Sequence, residues 1–256
     1  MLKPRLTPFL LLKGNGLYKT RKFGNPEYVG DAINAVKIFN EKNVDEISII
    51  DIDATYLGRT PNFSLIEKIS NECRMPLCIG GGVSSLEIFM QLIKSGVEKV
   101  ALSSAALANP ALIESISEKV GSQSVVVVLD VKKKKIKSGY SVFINRGLNK
   151  TSVDLETYLK NANDLGVGEV VINDILRDGM QQGYDLQLAQ LVYRATSIPT
   201  TIVGGAGNIE HIRDLWKKCP LMGAGAGSLF VFKGKYKAVL ISYPSSVEKK
   251  SLYKKA

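Results

Sequence analysis

Met75-Pro76-Leu77-Cys78-Ile79-Gly80-Gly81-Gly82-Val83-Ser84-Ser85 has a near-copy later in the chain, at Ile198-Pro199-Thr200-Thr201-Ile202-Val203-Gly204-Gly205-Ala206-Gly207-Asn208. Each copy is a short apolar run that ends in glycines and then in a residue suited to start a helix. A strand breaking into such a turn presents unpaired backbone N–H groups at its C-terminal end, which makes a phosphate cradle. Two cradles imply a ligand with two phosphates. The repeat reaches beyond the glycines: Glu46 and Glu169, like Pro76 and Pro199, are 123 positions apart, and Glu46–Asp51 reads like Glu169–Asp174. A repeat about half the chain long is one supersecondary series run twice.

Working outward, buried-strand runs alternate with helical spacing throughout. The strands are Arg5–Leu12, Glu46–Ile52, Leu77–Ile79, Lys99–Leu102, Ser124–Val131, Glu169–Asn173, Thr200–Val203 and Met222–Ala226. Helical spacing covers Ala32–Phe39, Phe63–Ile69, Leu86–Ile93, a helix opened by Pro110, Asp154–Leu165, Leu186–Thr196 and Ile209–Lys217, with a last helix from near Ser228. A long loop rich in Lys and Gly follows Lys13, and Lys132–Asn145 reads as a hairpin turning near Ser138-Gly139. Eight near-continuous apolar strands separated by helices predict a parallel sheet buried on both faces, closed as a single α/β (β/α)8 TIM barrel. Residues 1–256 then form one barrel with half-barrels at about 1–123 and 124–240, and the polar, basic stretch 241–256 is expected to fray.

The composition agrees with a globular chain: 256 residues, 45% hydrophobic, with 23 Gly and 9 Pro. Met1–Pro8 leads only into the short apolar run Phe9–Leu12, so neither a cleavable signal nor a membrane span is expected and the protein reads as cytoplasmic. Cys73, Cys78 and Cys219 lack metal spacing and read as reduced packing residues; no metal or cofactor is expected. The net charge of +10 lies largely in Lys runs without interleaved aromatics, which argues for anionic small molecules and against nucleic acid.

In such a barrel the strand ends share one face. Asp51, Asp53, Asp130, Asp174 and Asp178 fall there, and Asp130 ends the apolar run Val125–Leu129, where burial raises a carboxyl pKa and suits acid/base work. Gly82, Ser103 and Ser104 in the first half and Gly179, Gly205, Gly227 and Ser228 in the second are matched phosphate elements. At the opposite face, Arg5, Glu46, Lys99 and Glu169 open four strands, as a stabilising ion-pair ring or as a gate into the barrel. His211, the sole histidine, is expected on a helix surface.

These residues carry a family resemblance. Gly80-Gly81-Gly82, Asn109-Pro110, Gly121-Ser122-Gln123 leading to Asp130, Gly168-Glu169, Arg177-Asp178-Gly179, Gly183-Tyr184-Asp185, Gly204–His211 and Ser228-Leu229-Phe230 resemble the cyclase subunit of imidazole glycerol phosphate synthase, over nearly the whole chain. The resemblance implies a glutaminase partner on the N-terminal face, a gate of Arg5, Glu46, Lys99 and Glu169, a partner contact at Glu98, and ammonia crossing the barrel to a bis-phosphorylated small molecule held partly by Asp178. One departure bears on activity: Leu11 occupies the place of one of the family's two catalytic aspartates, leaving Asp130. Ser103, Asn173, Leu176 and Val231 also depart from the family pattern. The chain therefore looks like the family's side branch found with surface-polysaccharide genes, in which ammonia is delivered for amidation in acetamidino-sugar synthesis with a separate sugar amidotransferase. The alternatives are a genuine cyclase of histidine biosynthesis and a non-catalytic scaffold that activates the glutaminase.

Overall fold

The computed structural model describes residues 3–136 and 138–255; Met1, Leu2, Lys137 and Ala256, which the expected chain limits and basic runs include, lie outside them. The strands are β1 (Leu6–Lys13), β2 (Gly16–Arg21), β3 (Gly24–Asp31), β4 (Ile47–Asp51), β5 (Leu77–Gly80), β6 (Lys99–Leu102), β7 (Val125–Lys133), β8 (Tyr140–Ile144), β9 (Asn149–Lys150), β10 (Glu169–Asp174), β11 (Thr200–Val203), β12 (Gly223–Ala226), β13 (Phe232–Lys233) and β14 (Ala238–Val239). The helices are α1 (Ala32–Glu41), α2 (Phe63–Glu72), α3 (Leu86–Lys94), α4 (Ser104–Ala108), α5 (Pro110–Val120), α6 (Leu155–Asn161), α7 (Leu186–Ala195), α8 (Ile209–Lys218), α9 (Ser228–Val231) and α10 (Ser246–Lys255).

Eight parallel strands close in the order β1-β4-β5-β6-β7-β10-β11-β12, with β12 returning to β1 through Leu6↔Ala224. This is the (β/α)8 barrel that the sequence predicts. The half-barrel repeat is visible atom by atom. Gly81 and Gly204 both have positive φ and pack on the carbonyl oxygens of Asp51 and Asp174, so a Cβ at either would run into backbone. The Asp51 side chain accepts the Asp53 N–H and the Asp174 side chain the Leu176 N–H, both at 2.9 Å. Ser85 and Asn208 then cap α3 and α8.

Three expectations are corrected. The segment after Lys13 is an antiparallel hairpin, β2–β3, rather than a loop; Leu17, Lys19 and Thr20 are all buried, and a buried lysine hides the alternation that marks a strand. The helix expected over Asp154–Leu165 stops at Asn161, where the run Asn161-Ala162-Asn163-Asp164 favours turns over helix. Residues 241–255 do not fray as a whole; Ala256 lies outside the described residues. The one-turn α9 leads through the β13–β14 ribbon into α10, which docks on the barrel: Leu252 is fully buried, Tyr253 stacks on Trp216 at 5.2 Å, and the Tyr243 hydroxyl donates to the Leu6 carbonyl. Among the described residues no helix is long and apolar enough to cross a membrane. Cys78 and Cys219 are buried and Cys73 half-buried, all three unbridged.

Candidate functional site

Period-two alternation sorts the barrel interior into layers. At the bottom, where the strands start, the Arg5 guanidinium bridges Glu46 and Glu169 at 2.7 and 2.8 Å, and Lys99 Nζ bridges the same pair at 2.9 Å each, closing a ring across the bore. Thr201 donates to Glu169 at 2.8 Å. Burial alone would raise the Glu169 pKa, but the Arg5 and Lys99 charges outweigh it and hold it low; for Lys99, burial works downward and the two carboxylates overcome it to hold it high. Exposed beside this ring, Glu98 accepts the Leu77 N–H at 2.8 Å.

Above the ring lies a small gap lined by Thr7, Phe9, Ser48, Cys78, Val126 and Val171. Next comes an apolar collar of Phe9, Ile50, Ala101, Val128, Val171 and Val203. Beyond the collar the barrel opens, at the C-terminal ends of the strands, into a cavity of about 500 Å³ whose walls include Leu11, Asp130 and Asn173. Its rim carries Lys19, Arg59 and Arg146 opposite Asp178, Asp51 and Asp53. The cations are committed: Lys19 Nζ is 4.0 Å from Asp178, Arg59 is 3.8 Å from Asp51, and Arg146 is 3.2 Å from Asp53 while covering the Tyr56 ring at 5.3 Å.

Asp130 differs from those carboxylates. Among the described residues no cation lies within ion-pair distance of it, and its one side-chain hydrogen bond comes from Asn173 Nδ2 at 3.1 Å. Burial pushes its carboxyl up to about 7; the Asn173 bond pulls against that and the Asp178 charge adds to it. A carboxyl poised near neutrality in a closed bore exchanges protons at working pH. Leu11 occupies the matching place in the other half: each begins the register of its barrel strand with an antiparallel extension, Leu11↔Tyr18 and Asp130↔Phe143. The two positions are equivalent, and only one of them bears an acid.

The structure brings together part of the predicted phosphate set. Gly82, Ser103 and Ser104 line the cavity, although the Gly82 N–H already donates to the Thr55 hydroxyl at 3.0 Å. Gly179, Gly205, Gly227 and Ser228 do not line it. The β2–β3 hairpin intervenes: the Lys19 side chain packs on Gly227, and the Thr20 carbonyl on Gly179. Asp178 lines the cavity, but its carboxylate anchors that hairpin, accepting from the Thr20 hydroxyl at 2.6 Å and the Phe23 N–H at 3.2 Å. His211, half-buried on α8, accepts the Gly207 N–H through Nδ1 at 3.1 Å, so it organises the second glycine turn rather than standing free on the surface. Sequence reasoning missed Lys19, Tyr56, Arg59 and Arg146 because no local pattern marks them; a lysine amid the apolar alternation of residues 17–20 was the one available signal. Among the described residues no three His, Cys, Asp or Glu side chains gather as a metal site.

Residues 11–237 match the family described as histidine biosynthesis protein. The chain is 46% identical over 253 residues, 99% of its length and 100% of the relative's, to a Leptospira borgpetersenii protein provisionally assigned as imidazole glycerol phosphate synthase subunit HisF. It is 51% identical over 250 residues, 98% of its length and 96% of the relative's, to a Vibrio vulnificus protein provisionally assigned as subunit hisF3. To the imidazole glycerol phosphate synthase subunit HisF of Clostridium botulinum it is 35% identical over 233 residues, 91% of its length and 92% of the relative's.

Proposed function

Because the chain belongs to the histidine biosynthesis protein family that includes the HisF subunits of imidazole glycerol phosphate synthase, we propose that it is a synthase subunit that receives ammonia at the bottom of its barrel and delivers it to an acceptor in the upper cavity. The observation that carries this reading is the alignment of a charged ring, an apolar collar and one unpaired acid along a single bore. Charged species are stopped at the collar by the cost of desolvation, whereas neutral ammonia passes it. A glutaminase docks at the face bearing the ring and Glu98, and supplies the ammonia. Glu46 and Glu169 exchange partners with Lys99 and Arg5 to open the way, and Asp130 takes up or returns a proton as ammonia adds to the acceptor.

The acceptor we propose is a sugar derivative undergoing amidation to an acetamidino group, with a separate sugar amidotransferase as third partner. Leu11 supports it. Ring closure and C–N cleavage need proton transfer on both sides of a substrate, and an absent acid/base group costs about 10²–10⁴ in rate. The 35% identity to a HisF subunit favours a second reading, a cyclase of histidine biosynthesis using the bis-phosphorylated ribulosyl substrate.

Two assays separate them. Saturating ammonium with the bis-phosphorylated histidine-pathway substrate is expected to give no turnover, and turnover at a histidine-pathway rate would establish the cyclase. Glutamine labelled with 15N at its amide, supplied with a HisH-type glutaminase, the sugar amidotransferase and the sugar acceptor, is expected to label the acetamidino nitrogen. In that second assay Asp130→Asn abolishes labelling while leaving glutamine hydrolysis; unchanged labelling removes Asp130 from the chemistry.

A further inference from the structure

Asp130 and Asn173 are direct partners in the β7–β10 register, and the Asn173 amide nitrogen donates to one oxygen of the carboxyl. The other half of that amide is unserved: Asn173 Oδ1 is buried and accepts no hydrogen bond from any described residue. A buried carbonyl left without a donor is unfavourable. With the amide turned over, the NH2 group becomes the unserved half, and the carbonyl oxygen has a donor in Asp130 only while that carboxyl is protonated.

Asn173 stands in the inward column Glu169, Val171, Asn173. The first of these belongs to the charged ring, the second borders both the gap above the ring and the upper cavity, and the third lines the cavity. A small molecule that has passed Thr7, Ser48 and Cys78 meets only Phe9, Ile50, Ala101, Val128, Val171 and Val203 until it reaches Asp130 and Asn173. Asp130, Asn173 and Ser103 bring hydrogen-bonding groups to the cavity next above the collar. A donor for Oδ1 must bring an N–H or O–H.

We infer that Asn173 is a positioning residue for ammonia: its side-chain carbonyl accepts one N–H of ammonia leaving the collar and holds the nitrogen beside the Asp130 carboxyl. The inference rests on the ammonia-delivery reading above and adds the place where ammonia halts. The arrangement leaves the remaining hydrogens of ammonia toward Asp130 and its lone pair toward the cavity, where an acceptor lies.

The test follows the side-chain amide resonances of Asn173 in 15N-labelled protein, assigned by their disappearance in Asn173→Leu. Titration with ammonium chloride is expected to shift them saturably, with potassium and sodium chloride at equal ionic strength producing no saturable shift. Equal responses to potassium and ammonium reveal a site for cations rather than an N–H acceptor, and overturn the inference. Absence of any response means that water serves the carbonyl, and overturns it equally. With 15N-ammonium chloride supplied in place of glutamine, Asn173→Leu is expected to raise the ammonium KM for acceptor labelling at least tenfold with a smaller change in kcat. Labelling of the acceptor without the ammonium-specific shift removes this site and leaves delivery standing. The shift without labelling keeps the site and removes the delivery reading.

Discussion

The Thr20 hydroxyl donates to the Asp178 carboxylate at 2.6 Å, joining residues 158 positions apart. This bond ties the β2–β3 hairpin of the first half-barrel to the loop after β10 in the second, and the Lys22 N–H adds a bond to the Asp178 carbonyl at 2.9 Å. Thr20→Val removes the donor and leaves a buried carboxylate short of one partner, a cost of about 1–3 kcal/mol. Urea unfolding measures the loss, and trypsin is expected to cut after Arg21 or Lys22 faster in the variant. An unchanged cutting rate would show that the hairpin is held by its other contacts.

The charged ring makes stability depend on pH at both ends. The folded-state pKa of Glu169 lies below its ordinary value of about 4.3, so its contribution is present above that pH and is lost as pH falls through the folded value. The folded-state pKa of Lys99 lies above its ordinary value of about 10.4, so its contribution is full below that pH and is lost as pH rises through the folded value. Lys99→Met leaves Glu46 and Glu169 buried with only Arg5 between them and is expected to cost about 3–5 kcal/mol at pH 7. The deficit shrinks as pH falls and Glu169 protonates. A deficit that is constant from pH 7 to pH 3.5 contradicts the ring's electrostatic role.

Asp130 carries the opposite sign. Its folded-state pKa of about 7 lies above the ordinary aspartate value of about 3.9, so the native state binds the extra proton and stability falls as pH rises from about 4 to about 7. Asp130→Asn removes that cost while keeping a partner for the Asn173 amide. The variant should be more stable than the parent at pH 8, by something on the order of 2–4 kcal/mol, and nearly equal to it at about pH 3.5. Thermal melts at the two pH values decide it; a gain of the same size at both has another cause.

Leu252 anchors the last outer helix, fully buried between α10 and the barrel, one residue before the Tyr253–Trp216 stack. Leu252→Ala is expected to cost about 2–5 kcal/mol as a cavity-forming substitution. Deuterium exchange in α10 should rise with it while β7 and β10 stay protected. If the variant keeps the parent's melting temperature, the helix is only resting on the barrel.

The sequence by itself determined the barrel, its repeat, the charged ring and a leucine where the first strand ends. Each of these is written locally: period-two apolar runs, glycines that alone fit against the Asp51 and Asp174 carbonyls, charges at strand starts, and one side chain at a strand end. The β2–β3 hairpin, the docked α10 and the seating of that hairpin on Gly227 were decided by tertiary structure, because each depends on a partner far away in the chain: Asp178 for Thr20, Trp216 for Tyr253, Gly227 for Lys19. The character of Asp130 belongs to the same class. A carboxyl at a strand end is ordinary until the barrel half-buries it, keeps every cation of the described residues beyond ion-pair distance and sets Asn173, 43 positions away, at its side. Local patterns choose elements through steric and hydrophobic preference, whereas desolvation and pairing exist only after the bore has closed.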